Sequence, residues 1–211
     1  MRRQTLADRM IASFDQALRT VVPHTTQAER PLPGAERSSS LNVTDARKVA
    51  GLMRVNHSGE VAAQALYNGQ ALTAKLPHVR QAMQHAAREE QDHLAWCEAR
   101  LKELDSHTSL LNPLWYAMSF GIGAIAGIAG DQYSLGFVAE TERQVGAHLD
   151  AHLQVLPESD ARSRAILEQM HRDELHHRDE AIAAGAQELP ESVKALMGVV
   201  SKVMTKSSYF I

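Results

Sequence analysis

Little in this chain could hold it together except a hydrophobic core. Its one cysteine, Cys97, permits no internal disulfide, which suits a small core residue in a reducing compartment. Aromatic residues make up only 5% of the 211 positions, and no long apolar-polar alternation marks a strand, so the composition points to an all-α fold. No cluster of Lys and Arg forms a face that could track phosphates, and the net charge is -3; both argue against a nucleic-acid partner. No dinucleotide-binding glycine motif follows a strand either.

What is present is helical periodicity. Residues 5–22 place Leu6, Met10, Phe14, Leu18 and Val21 on one face, an amphipathic helix that could dock on the protein, lie on a membrane surface or serve in targeting. Asp8, Asp15 and the lack of an apolar run make it a poor signal peptide. Residues 23–41, with three prolines and a Ser triplet, read as a linker. Beyond it the pattern predicts a helix over 44–76 with Thr44 as its N-cap, a second opened by Pro77 and running to 104, and a later pair over 131–156 and 159–186. Pro190 opens a terminal helix with Val193, Leu196, Met197, Val200 and Val203 on its apolar face.

Two pairs of residues on these helices carry chemistry. Glu90 with His93, and Glu174 with His177, each follow Glu-x-x-His spacing, which aims a carboxylate and an imidazole at one point. The spacing occurs a third time, in Glu168 and His171, so the bare motif is weak. The faces that carry the residues discriminate better. Met83, Ala86, Glu90, His93 and Cys97 share one inward stripe, as do Met170, Glu174, His177 and Ala181; Glu168 and His171 fall off it and read as solvated.

Each pair lacks a single carboxylate from a neighbouring helix. Glu60 lies thirty residues before Glu90, on the stripe of Met53, Asn56, Ala63 and Tyr67, and Glu142 lies thirty-two before Glu174. Glu140 competes with Glu142, but Val138, Glu142, Val145 and Leu149 form the apolar stripe, which places Glu142 inward and Glu140 toward solvent. A helix pair thus occurs twice, giving one Glu from each of two helices and one Glu-x-x-His from each of the other two. This is the ligand pattern of a two-iron carboxylate site in a four-helix bundle. Four like charges cannot be buried together uncompensated; two divalent irons would cancel them.

The stretch 106–130 contains no Asp, Glu, Lys or Arg, and Gly123 and Gly127 give it the spacing that lets backbones approach closely. It is nearly long enough to cross a bilayer, yet the charged metal-bearing helix follows at once. The preferred expectation is a monotopic element at residues 110–130 that dips into one leaflet with Trp115 and Tyr116 near the interface; the alternative is a buried crossover helix.

The run Arg54-Val55-Asn56-His57-Ser58-Gly59-Glu60, the two Glu-x-x-His pairs and the uncharged glycine-rich segment together resemble the demethoxyubiquinone hydroxylase family of ubiquinone biosynthesis, over about residues 42–187. The resemblance implies a membrane-associated, ferritin-like di-iron monooxygenase in residues 42–211. Glu60, Glu90, His93, Glu142, Glu174 and His177 would be its iron ligands, with Glu90 and Glu174 bridging. It implies O2 as co-substrate, NADH or another reductant as electron source, and a polyprenyl quinol as substrate. Other enzymes of the pathway and further copies of the chain are partners it leaves open. The absence of a long basic presequence points to the cytoplasmic side of a bacterial inner membrane rather than the matrix side of a mitochondrial one. The third helix departs from the family pattern: Glu140-Thr141-Glu142 with His148 and His152 stands where adjacent glutamates and a His-His pair are usual. The competing readings are an iron-storage bundle and another di-iron oxidase or hydroxylase.

Overall fold

A computed structural model describes residues 5–23 and 25–211; residues 1–4, and the side chain of Leu6 in the expected N-terminal helix, lie outside the described residues. Seven helices follow one another: α1 (Leu6–Val21), α2 (Val43–Thr73), α3 (Pro77–Glu103), α4 (Asn112–Ala129), α5 (Asp131–Val155), α6 (Ala161–Ala183) and α7 (Glu191–Ser208). The described residues contain no strand, only an isolated bridge between Ser39 and Asp160.

The helix ends follow local chemistry. Asn42, not Thr44, caps α2: its extended backbone lets Oδ1 accept the Asp45 N–H at 2.9 Å, which leaves Thr44 inside the first turn. Asp160 caps α6 by accepting the Ser163 N–H at 3.1 Å. The turn from α2 to α3 is tied to the start of α5, where the Asp131 carboxylate accepts the N–H groups of Lys75 and Leu76 at 3.1 and 2.8 Å.

α2 is the central pillar. It packs against α1, α3, α4, α5 and α7, and it is buried nearly all round from Val49 to Ala71. An element enclosed on every side needs small and apolar residues around its whole circumference. With α3, α5 and α6 it forms the bundle. One apolar layer contains Val49, Met53, Trp96, Leu149, Ile166 and Met170. A second contains Ala63, Tyr67, Met83, Leu135, Val138 and Ala181. In all four helices the acid predicted from sequence falls between these two layers.

The segment between α1 and α2 has a fixed course across α3 and α6. Leu32 packs on the first apolar layer, the Arg162 guanidinium donates to the Ala35 and Arg37 carbonyls, and buried Arg100 joins Ser39 to Asp160 and Ser163.

α4 lies flat on α2 at very short range. A Cβ on Gly123 would stand 2.2 Å from the Leu66 carbonyl oxygen, and one on Gly69 would stand 2.3 Å from that of Phe120. Trp115 and Tyr116 are buried, contrary to the expectation that they sit at a membrane interface. Trp115 donates to Ser208 Oγ at 3.1 Å and Tyr116 stacks with Phe120, because the glycine face draws α4 onto α2 and takes these rings with it. The outer face is left with Leu114, Met118, Ile125 and Ile128 exposed. No helix among the described residues is long and apolar enough to cross a membrane.

This packing sets an expected contrast. Gly123→Ala should destabilise the protein by about 1–3 kcal/mol through overpacking. Gly121→Ala meets nothing within 4 Å and should be neutral or stabilising by about 0.5–1 kcal/mol. Chemical denaturation of the two variants measures the difference.

Candidate metal centre

The six predicted side chains converge. Glu60 on α2, Glu90 and His93 on α3, Glu142 on α5, and Glu174 and His177 on α6 are all buried. Their donor atoms form two groups, Glu60, Glu90, His93 and Glu174, and Glu90, Glu142, Glu174 and His177; within each group the atoms lie within 4.8 Å of one another. Glu90 and Glu174 belong to both. His93 Nδ1 stands 3.0 Å from Glu90, 3.2 Å from Glu174 and 3.6 Å from Glu60. His177 Nδ1 stands 3.4 Å from both Glu90 and Glu174.

The donor set fits a pair of cations. Both oxygens of Glu142, and Oε1 of Glu90 and of Glu174, are buried without a hydrogen-bond partner, a costly state for carboxylates unless something positive satisfies them. Burial, reinforced by Glu90, pushes the Glu60 carboxyl well above its usual range, and burial with Glu174 does the same to Glu142. Burial opposes the charged forms of Glu90 and His93 too, but their mutual attraction wins, holding Glu90 well below its usual value and His93 well above. A metal-free cluster therefore borrows protons to replace missing positive charge.

Each histidine turns Nδ1 to the cluster and Nε2 away, and each outer nitrogen meets a carboxylate. His93 Nε2 lies 2.9 Å from Asp173 and His177 Nε2 lies 2.7 Å from Glu89. Metal-binding imidazoles are commonly oriented by such an outer carboxylate. The pattern is crossed: Asp173 on α6 supports His93 on α3, and Glu89 on α3 supports His177 on α6. The sequence reading missed both, although each is the acid immediately preceding the glutamate of a Glu-x-x-His pair.

Glu140 does not join the cluster, but neither is it solvated. Only 6% exposed, it receives Arg143 at 2.7 and 2.8 Å and Gln144 at 2.6 Å; the i+3 and i+4 side chains fold over it. Glu168 and His171 stay apart from the cluster as well, half-buried, with His171 3.2 Å from Asp150.

The run preceding Glu60 also finds its reason. His57 Nδ1 accepts from Asn112 at 3.1 Å while Nε2 faces Glu98 at 3.3 Å, and Ser58 donates to Asn112 at 2.8 Å. One buried knot thus joins α2, α3 and the first turn of α4, fixing the pillar whose next turn presents Glu60.

Beside the centre, an apolar cavity of 250 Å³ runs between α2, α4, α5 and α7. Glu60 is the one candidate ligand on its wall, with Asn56, Phe137, His148 and Leu196 among its other lining residues. The Asn56 amide is buried with neither its oxygen nor its nitrogen partnered. The His148 ring lies 4.0 Å from that of His152 and tilted against it; burial lowers His148, and burial, then His148, lowers His152 to about 3.

Residues 47–208 match the family described as ubiquinone biosynthesis protein COQ7, which leaves the segment before α2 outside the matched stretch. The chain is 68% identical to a 3-demethoxyubiquinol 3-hydroxylase of Acinetobacter baylyi, with all of both chains covered. It is 67% identical to one of Acinetobacter baumannii, again over the whole of both. To one of Ectopseudomonas mendocina it is 57% identical, over all of this chain and 98% of that one.

The clustered carboxylates dictate a pH dependence. Glu60 and Glu142 hold their protons above the usual 4.5 in the fold but release them there when unfolded, so their contribution is complete below 4.5 and lost as pH rises through the folded values. Metal-free Glu142→Gln should therefore be more stable than the parent at pH 7, by about 1–3 kcal/mol, with a flatter dependence as pH rises above 4.5. Added ferrous iron should reverse the order. Thermal denaturation with chelator and with metal checks both signs.

Proposed function

The chain belongs to the family of ubiquinone biosynthesis protein COQ7, and we propose that it hydroxylates its quinol with two irons held by Glu60, Glu90, His93, Glu142, Glu174 and His177. It is an oxidoreductase of the 3-demethoxyubiquinol 3-hydroxylase kind. The substrate is 5-methoxy-2-methyl-3-polyprenyl-1,4-benzoquinol and the product is 3-demethylubiquinol. One oxygen atom of O2 replaces a ring C–H by C–OH; the other leaves as water with two electrons from NADH or another reductant.

The observation that carries the metal assignment is the pair of four-donor groups that share Glu90 and Glu174. In this reading Glu60 and His93 would serve one ion and Glu142 and His177 the other, with Glu90 and Glu174 within reach of both. Two ferrous irons supply O2 activation when bound. The residues of the chain do the rest. Four carboxylates balance the charge of two divalent ions, Asp173 and Glu89 hold the imidazoles by their outer N–H, and the two apolar layers exclude bulk water. On the cavity wall, the free Asn56 amide is placed to orient a quinol oxygen, while the apolar lining accepts the ring and the start of the tail.

Delivery of a tail that is nearly insoluble in water calls for a site open to a bilayer. α4 and α7 both line the cavity, and both expose large apolar side chains: Leu114, Met118, Ile125 and Ile128 on α4; Leu196, Val199 and Val203 on α7. We place these faces in one leaflet of the inner membrane, on the cytoplasmic side, as a monotopic contact.

Anaerobic reconstitution should load two irons per chain. Glu142→Ala should lose one of them, whereas Glu140→Ala should keep both. In cells lacking their own hydroxylase, the wild type should clear demethoxyubiquinone and Glu174→Ala should let it accumulate, as read by mass spectrometry of extracted quinones. Accumulation with a loaded wild-type centre would rule out the substrate and leave only the metal chemistry. The protein should sediment with membranes until detergent releases it, and full solubility without detergent would remove the leaflet contact.

A further inference from the structure

Before it crosses to Leu32, Ala35 and Ser39, the strap between α1 and α2 passes directly behind one of the two histidines. The Glu29 N–H donates to Asp92 Oδ1 at 2.7 Å, and Arg30 Nε donates to the other oxygen of the same carboxylate. Arg30 Nη1 then reaches Asp173 Oδ2 at 2.9 Å. That oxygen is the one that stands 2.9 Å from His93 Nε2. The guanidinium also lies 4.8 Å over the Trp96 ring, a favourable cation–π distance, and Trp96 in turn packs 5.4 Å from the His93 ring. One arginine thus spans α3 and α6 and touches the outer carboxylate, the aromatic wall and, through them, the imidazole.

Among the described residues no cation makes the equivalent hydrogen bond at the other half of the centre, where Arg30 reaches Glu89 only through space. Glu89, which faces His177, is approached by His85 at 3.3 Å, and that ring is 60% exposed and charged only when protonated. The two outer carboxylates therefore differ in kind. Asp173 shares one oxygen between a hydrogen-bonded permanent cation and an imidazole, whereas Glu89 gives its oxygen to His177 and an exposed histidine and feels Arg30 only through space.

We propose that Arg30 is a positioning residue for the metal centre: it fixes Asp173, and through Asp173 the His93 imidazole, so that the N-terminal strap makes the His93 position distinct from the His177 position. The inference rests on the two-metal reading above. Its content is geometric: Arg30 holds the Asp173 carboxylate between Asp92 and His93, and that carboxylate holds the ring with Nδ1 turned to the cluster. Without the guanidinium Asp173 is free to turn, and the His93 ring loses its outer anchor while the hydrogen bond between Glu89 and His177 stays in place. Disturbing an outer partner of a metal-bound histidine typically costs about 10- to 100-fold in metal affinity.

The test uses the full-length protein loaded anaerobically with iron-57, read by ferrous titration and by Mössbauer spectroscopy after oxidation. Arg30→Gln should weaken one of the two binding steps by about 10-fold or more and move one of the two quadrupole doublets. Arg30→Lys, which keeps the charge but not the fork, should return part of the shift. Glu89→Gln should move the other doublet. Arg162→Gln, which loosens the same strap at Ala35 and Arg37 without touching Asp92 or Asp173, should leave both doublets in place. Unchanged binding and spectra in Arg30→Gln overturn the proposal. So do equal shifts of both doublets, or an Arg162→Gln spectrum that reproduces the Arg30→Gln change. Wild-type protein that cannot take up two irons overturns the underlying site as well, which separates the two failures.

Discussion

Four carboxylates placed inside one helical bundle are the constraint from which the rest follows. Each buried charge costs several kcal/mol unless it is paired, and here the acids lie between two apolar layers that admit no bulk solvent. The protein answers with two imidazoles, each braced from behind by a further carboxylate, and with donor atoms pointed at each other that only positive charge can reconcile. The same arrangement that makes the metal-free cluster strained would make a metal-loaded one stable, and in the proposed reading folding and metal retention would be linked through the same six side chains.

The apolar parts serve that centre by fixing the distance between helices. α2 can stand at the middle of the bundle only because its neighbours tolerate close contact, and the mutual approach of Gly69 and Gly123 brings α4 within backbone range. That approach spends the inner face of α4 on packing and leaves its outer face apolar and uncovered. Where α4 and α7 separate, the cavity opens beside Glu60. An uncovered apolar surface and a cavity beside Glu60 are thus consequences of one close helix contact.

The features legible in the sequence were those repeated along single helices. A stripe at 4-3-4 spacing placed Glu60, Glu90, His93, Glu142, Glu174 and His177 inward, and the offset of two residues turned Glu140 away from the cluster. What stayed hidden depended on contacts between segments far apart in the chain. Asp173 meets a ring eighty residues earlier, and Arg30 meets Asp173 across 143 residues; no local period encodes either. The fate of Glu140 was half legible, since the side it faces follows from helical phase while its cover by Arg143 and Gln144 depends on side-chain choice. Trp115 and Tyr116 look like interfacial aromatics in sequence and become core in the fold, because the glycines that share their helix decide which face packs.

The two halves of the centre are also unequal in what surrounds them, and the inequality has a direction. Glu60, the candidate ligand on the cavity wall, belongs to the donor group of His93. His93 is the histidine backed by Asp173 and, through it, by Arg30. The donor group that borders the cavity is therefore the one whose outer carboxylate is hydrogen-bonded by a permanent cation, while Glu142 and His177 do not line the cavity and His177 is backed by Glu89. In a site where both positions share Glu90 and Glu174, differences can enter only through the unshared ligands and their supports. A segment outside the stretch matched by the family thus stands behind the half of the cluster that faces the cavity.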